Sequence, residues 1–327
     1  MRRKVGMLAT VALLSGYLLC TASTVIGLSS FQMGNDWNIQ LAQGAKDEMA
    51  AYGWQVIHTN AQAITENQIR DLESFLARGV DAVIIGGGMA PSLMPTIQRL
   101  IDAGITVVAI DMTVPDALTN IYPDNYMTSE LLGVFCINRI GGREGKALHL
   151  TIPGAGWHTV TIRDEVASLI FGLENVTEVV MDSGLTDAVS KSMIATRSAL
   201  LSTPDLDFVY CSWGMPALGA ARAIREAGKQ EEVFVVCTDA DRAVLQEMMK
   251  DDSPIAAVIG QLPYVMGQMA VQSLKRAFEG DTTIPKIQFA PFLFITKEPQ
   301  LVPPGPRVVS PVEAWKTIYP SVPVPME

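Results

Sequence analysis

Residues 24–60 read TVIGLSSFQMGNDWNIQLAQGAKDEMAAYGWQVIHTN. The stretch begins as a short apolar run, then sets Trp37, Leu41, Ala45 and Met49 on one helical face that Gly53 ends, and resumes as the strand WQVIHTN. Strand, helix and strand in that order make one unit of a parallel sheet. Between the first strand and the helix stand Asn35, Asp36, Trp37 and Asn38, where a cap and a turn would be enough. An indole beside an amide and a carboxylate at the end of a parallel strand reads as part of a binding wall.

The same alternation continues outward. Ile69, Leu72, Phe75 and Leu76 recur at helical spacing with Gly79 as the stop; VDAVIIGGG, a helix reaching Ala103 and Gly104, and ITVVAID follow. After NIYPDN the pattern restarts, with helices over 128–140, 162–173, 187–202, 216–227 and 241–250 separated by KALHLTIPG, TEVVMDSG, LDFVYCS and EVFVVCTDA. Two successive α/β units, each a parallel sheet covered on both faces, are therefore expected. The Pro-rich tail from Pro299 reads as extended and lying on the surface.

Composition limits the partners. The chain of 327 residues is 49% hydrophobic with a formal net charge of −10, long enough for two cores and without the clustered Lys and Arg that nucleic acid or anionic lipid would need. Arg2, Arg3 and Lys4, the apolar run from Val5 to Leu19, and Cys20, Thr21 and Ala22 read as an export signal over residues 1–22. Its loss would remove three positive charges and no negative one. Export implies a periplasmic protein, or one anchored at the cell surface if the leader stays attached. Cys136, Cys211 and Cys237 are isolated in apolar surroundings and read as buried thiols, neither disulfides nor metal ligands.

Ligands of open α/β sheets bind beyond the carboxyl ends of the strands. Standing there are Asn35, Asp36, Trp37 and Asn38, the glycines 86–88, Asp111 and Met112, Trp157, His158 and Arg163, Ser212 and Trp213, and Asp239. Carboxylates, amides and a planar guanidinium bind vicinal hydroxyls in pairs, and indoles pack on the C–H face of a polyhydroxylated ligand. The competing reading makes Asp111 and Asp239 helix caps and the tryptophans core.

In order and spacing, IGLSSFQMGNDWNIQLAQGAKDEMAAYG, QIRDLESFLARGVDAVII, AGITVVAID, PDN at 123–125, TIRDEVASLIFG, PALGAARAIREAGK, VFVVCTDA and AAVIGQLPYVMGQMAV resemble the periplasmic solute-binding proteins of sugar ABC transporters, ribose-binding class (type I). The resemblance implies two Rossmann-like, doubly wound parallel-sheet domains joined by a three-strand hinge, with crossings near Asn125, Gln261 and Phe292. The lobes would then be 23–125 plus 262–292 and 126–261 plus 293–327. It implies ligand contacts at Asn35, Trp37, Asn38, Asp111, Arg163, Trp213, Asp239 and Gln261, with Trp157 added from the loop ahead of Arg163. The ligand would be a small neutral sugar or polyol, delivered by a monomer to a membrane permease or presented to a chemoreceptor or sensor kinase. Met112 replaces the arginine that ribose binders carry beside their first aspartate, and Trp213 replaces an asparagine, which disfavours ribose itself.

An NAD-dependent enzyme is suggested only by the glycines 86–88, which do not form G-x-G-x-x-G. A hydrolase would need a base, and His58, His149 and His158 sit in no nucleophile or metal motif. No catalytic residue, metal or cofactor is expected.

Overall fold

The computed structural model describes residues 23–153, 157–184 and 186–325; the expected export signal over residues 1–22 lies outside them. Two sheets organise the chain. The first contains β1 (Val25–Ser30), β2 (Gln55–Asn60), β3 (Ala82–Gly86), β4 (Thr106–Ile110), β5 (Thr119–Pro123) and β11 (Ile287–Ala290), in the order β11-β5-β4-β3-β1-β2 and parallel throughout. The second contains β6 (Gly145–Thr151), β7 (Val176–Asp182), β8 (Phe208–Cys211), β9 (Phe234–Thr238), β10 (Ile255–Gln261), β12 (Phe292–Thr296) and β13 (Val308–Val309), in the order β13-β12-β10-β9-β8-β6-β7. Its β12 runs antiparallel to β10. The α/β class with two doubly wound sheets is thus present, and the first five strands of each sheet follow the same winding.

Burial explains why the central strands read as unbroken apolar runs. Every residue of β3, β5, β8 and β9 is buried, because helices cover both faces. The first lobe packs α1 (Asp36–Ala51) and α9 (Pro263–Phe278) on one face of its sheet and α2 (Thr65–Arg78) and α3 (Ala90–Asp102) on the other. In the second, α4 (Asn125–Arg139) and α5 (His158–Leu173) cover one face; α6 (Ala188–Ser202), α7 (Gly214–Glu226) and α8 (Arg242–Met249) lie on the other. A Cβ at Gly44 would overlap the Tyr264 carbonyl oxygen, and one at Gly219 would overlap that of Val189, so glycine permits the closest helix pair in each lobe.

The chain passes between sheets after β5, after β10 and at Pro291. Phe292 already pairs with Gln261 in the second sheet, so the third passage falls just before the expected Phe292. Asn125, likewise, opens α4 of the second lobe.

The expectation for the tail is overturned. A 3₁₀ turn (Pro299–Leu301), β13 and helix α10 (Pro311–Ile318) occupy it, and Trp315 is 1% exposed within the second core. Ser310 accepts a hydrogen bond from the Glu313 N–H, and Pro311 sits in the first turn, so SPVE is a helix start hidden among prolines. Cys136, Cys211 and Cys237 are buried and unpaired, and burial pushes their thiols up.

Candidate functional site

The carboxyl ends of the two sheets face each other across a cavity of ≈ 90 Å³. All nine residues singled out in the sequence line it: Asn35, Trp37, Asn38, Asp111, Trp157, Arg163, Trp213, Asp239 and Gln261. His158 is exposed and does not. A larger groove of ≈ 780 Å³ lies between α8 and α10, but none of the unpartnered buried polar atoms belongs to its lining.

Backbone geometry places the two aspartates. Asp111 follows β4 at φ 58° and Asp239 follows β9 at φ 78°, both in the left-handed region that costs a non-glycine residue of order 1 kcal/mol or more. Neither side chain caps a helix, and Oδ1 of each is buried without a hydrogen-bond partner. Burial raises both carboxyls. Asp111 is pushed up to about 7, with Arg163 opposing and Asp239 adding to the rise; Asp239 is raised by burial against the pull of Arg163.

The tryptophans make the same point from another direction. Trp157 and Trp213 occupy the N-cap positions of α5 and α7, where a short polar side chain would bond the free N–H groups, and neither makes a capping bond. Placing indoles there gives up local helix stability in exchange for an aromatic wall. Trp213 Nε1 donates to Ser183 Oγ at 3.3 Å and Trp37 Nε1 to Gln261 Oε1 at 2.6 Å. That second bond leaves Gln261 Nε2 buried without an acceptor.

Asn35 has a double role. Its Oδ1 accepts from the Asn38 N–H and from Asn38 Nδ2, capping α1, so only its amide nitrogen can serve a ligand. Arg163, 4% exposed, is fixed by donating Nε–H to Asn125 Oδ1 at 2.7 Å and from Nη1 to the Ser212 carbonyl at 3.0 Å, with Asp239 4.0 Å away. Behind it His149, Asp164, Glu178 and Ser212 form a hydrogen-bonded cluster. Its serine and histidine are 0% and 1% exposed and off the cavity, so the grouping supports Arg163 and reaches no substrate.

The structure adds residues that the sequence reading left out. Phe31, Gln32, Ile152, Thr159, Val160 and Asp241 also line the cavity. Burial, Asp239 and Asp36 push Asp241 up to about 7. Across the mouth Asp36 accepts from Arg242 at 2.6 Å, joining α1 to α8. Burial works against the Asp36 charge, and the hydrogen bonds and charge of Arg242 outweigh it, holding the carboxyl below its ordinary value. The signal for Asp241 was present in TDADR: it stands two residues beyond Asp239 on the same strand exit.

Met112 is 2% exposed in the first-lobe core and contributes nothing to the cavity. The glycines 86–88 offer no phosphate cradle, because Gln68 fills the space over Gly88 and donates to the Gly87 carbonyl at 2.9 Å. Among the described residues no group of His, Cys, Asp and Glu could hold a metal, and no helix is long and apolar enough to cross a membrane.

The periplasmic binding protein domain model matches residues 26–282. The chain belongs to the periplasmic binding protein family. This is a family of transport binding proteins, not of enzymes, and it implies an exported protein. Among curated relatives, the ribose import binding protein of Bacillus subtilis (strain 168) is 25% identical over 78% of this chain and 82% of the relative. Among solved structures, an ABC sugar transporter subunit from Rhodobacter sphaeroides 2.4.1 has a TM-score of 0.79 at 23% identity, covering 84% of this chain and 98% of that one. An ABC transporter solute-binding protein from Agrobacterium vitis with bound allitol has a TM-score of 0.78 at 23% identity, with 84% and 96% covered.

Proposed function

We propose that this periplasmic binding protein captures a small neutral carbohydrate or polyol between its lobes and delivers it to the permease of a sugar ABC transporter. The observation that carries the reading is the set of buried, unpartnered atoms on one cavity: Asp111 Oδ1, Asp239 Oδ1 and Gln261 Nε2. Two acceptors and a donor without partners are costly unless a ligand supplies donors and an acceptor together, as hydroxyls do. Size agrees. At about 10–15 Å³ per water centre, ≈ 90 Å³ holds roughly six to nine positions, comparable with the order of ten heavy atoms in a pentose or pentitol.

Charge argues for neutrality. Arg163 is the one cation among the described residues lining the cavity, and Asn125, the Ser212 carbonyl and nearby Asp239 already engage it, so no spare positive charge is left for a carboxylate or phosphate. The ribose and allitol of the relatives belong to the same chemical class. The nine expected residues would be the ligand contacts, with Trp37, Trp157 and Trp213 supplying ring faces. Hinge closure would be stabilised by contacts that reach both lobes, such as Trp37 with Gln261 and Asp36 with Arg242. Residues 1–22 would direct export. Each lobe has its own core, so a monomer suffices. Presentation of the closed form to a chemoreceptor would use the same site.

The test is a thermal-shift screen of residues 23–327 against pentoses, hexoses, deoxy sugars, polyols and inositols, with amino acids and NAD as controls. A ligand of the folded state raises the Tm by mass action. A shift confined to a carbohydrate or polyol group is the expected result; shifts with amino acids or NAD alone would refute the reading.

A further inference from the structure

The polarity of the cleft runs along the second sheet. Its order β10-β9-β8-β6 and a strand spacing of about 4.8 Å put the end of β6 roughly 10 Å from that of β9 and roughly 14 Å from that of β10. Asp239 and Gln261 stand at the β9 and β10 exits. Arg163 reaches the same end, since it donates to the Ser212 carbonyl beyond β8 and lies 4.0 Å from Asp239. Asp111, from the β4 exit of the other lobe, lines the same cavity and buries an unpartnered Oδ1 there.

At the β6 exit the lining changes. Ile152, Trp157 and Val160 come from the single connection between β6 and α5 and its first helical turn. Phe31, from the β1 exit of the other lobe, meets Trp157 edge to face at 5.7 Å. The two rings touch each other, so no sugar ring can be sandwiched between them. Trp37 stands at the β10 end, where it donates to Gln261, and Trp213, after β8, donates to Ser183 beyond β7, so both N–H groups are spent within the protein.

We infer that the ligand carries hydroxyls along one edge only and ends in an apolar group, a deoxy carbon, a methyl or an alkylthio substituent, seated on Phe31, Ile152, Trp157 and Val160. The inference rests on the carbohydrate reading and narrows it. A hydroxyl directed at these four side chains loses its water and gains no partner from them, whereas a methyl group gains by burial.

Calorimetric titration of residues 23–327 with matched pairs tests it: D-ribose against 5-deoxy-D-ribose and 5-methylthio-D-ribose, D-galactose against D-fucose, and D-glucose against 6-deoxy-D-glucose. In any pair that binds, the member with the apolar end is expected to bind at least about tenfold tighter. Val160→Thr, which exchanges a methyl for a hydroxyl at nearly constant volume, is expected to narrow that ratio severalfold. A fully hydroxylated parent binding as tightly as its partner, or a ratio unmoved in Val160→Thr, overturns the inference while leaving the carbohydrate reading intact. If no member of the panel binds, the carbohydrate or polyol found by thermal shift is titrated against its terminally deoxygenated counterpart, and equal affinity overturns the inference; a thermal-shift screen without any carbohydrate or polyol hit removes the carbohydrate reading, and the inference with it.

Discussion

The two lobes solve one problem twice with different surroundings. Asp111 after β4 and Asp239 after β9 occupy the same place in the same winding, share a left-handed backbone, and each bury an unpartnered Oδ1. Their downstream neighbours differ. One residue on, Met112 and Ala240 both turn into a core; two residues on, Thr113 pairs with the Tyr122 hydroxyl at 2.7 Å off the cavity, whereas Asp241 lines the cavity, beside a backbone held by the Tyr319 hydroxyl, which donates to the Ala240 carbonyl at 3.0 Å. The shared feature lets the fold grip hydroxyls from both sides. The difference adds a further carboxyl to the cavity from the second lobe.

Equivalence of the two aspartates makes the largest prediction. Asp111→Ala and Asp239→Ala should each lower affinity for the ligand found by thermal shift on the order of a hundredfold, since each removes hydrogen bonds to the ligand and leaves its buried hydroxyls unsatisfied, at about 1–3 kcal/mol apiece. Circular dichroism should show both variants folded. Full affinity in one variant would break the comparison and leave a one-sided site.

The paired glycines come next. Gly44→Ala and Gly219→Ala should each cost about 1–3 kcal/mol of stability, because the added methyl meets a backbone carbonyl that cannot move aside. Urea unfolding measures it, and a neutral result at either would mean that helix pair is not tightly apposed.

Acidity is common to both lobes and acts at a smaller scale. Asp111 and Asp241 are both raised from about 3.8 to about 7, so between these values the folded protein binds protons that the unfolded chain releases. Stability should therefore fall as pH rises from 4 toward 7 and level off above it. Asp111→Asn and Asp241→Asn should each flatten the Tm profile in that window. A profile unchanged in both variants would contradict the burial assigned to these carboxyls.

The smallest effect belongs to the bridge between lobes. Arg242 is about half exposed, so Asp36→Asn should weaken ligand binding by fivefold at most, as for a screened ion pair worth about 0–1 kcal/mol. The loss should be equal for every ligand and should vanish in high salt. A ligand-dependent loss would instead make Asp36 a contact residue.

Much of this was legible in the sequence because strand exits are marked by abrupt changes of residue type. Asp after VVAI and VVCT, and Trp after FVYCS, stand out against apolar runs, and their convergence comes from the parallel sheet. Phe31, Ile152 and Val160 were not legible, since an apolar residue facing a cavity looks like one facing the core. The helix of the tail was masked by its prolines, although SPVE carried the start signal. Asn35 shows the opposite difficulty: one side chain caps a helix and lines a cleft, and its spacing reveals only one role at a time.

Closure on the ligand is the central claim, and small-angle X-ray scattering of residues 23–327 at increasing concentrations of the ligand from the thermal-shift screen reads it without a label. The radius of gyration should decrease saturably, with a midpoint matching the calorimetric Kd, and should not change in Asp239→Ala at the same concentrations. A radius that stays constant while calorimetry reports saturation would mean that the lobes do not close on what they bind.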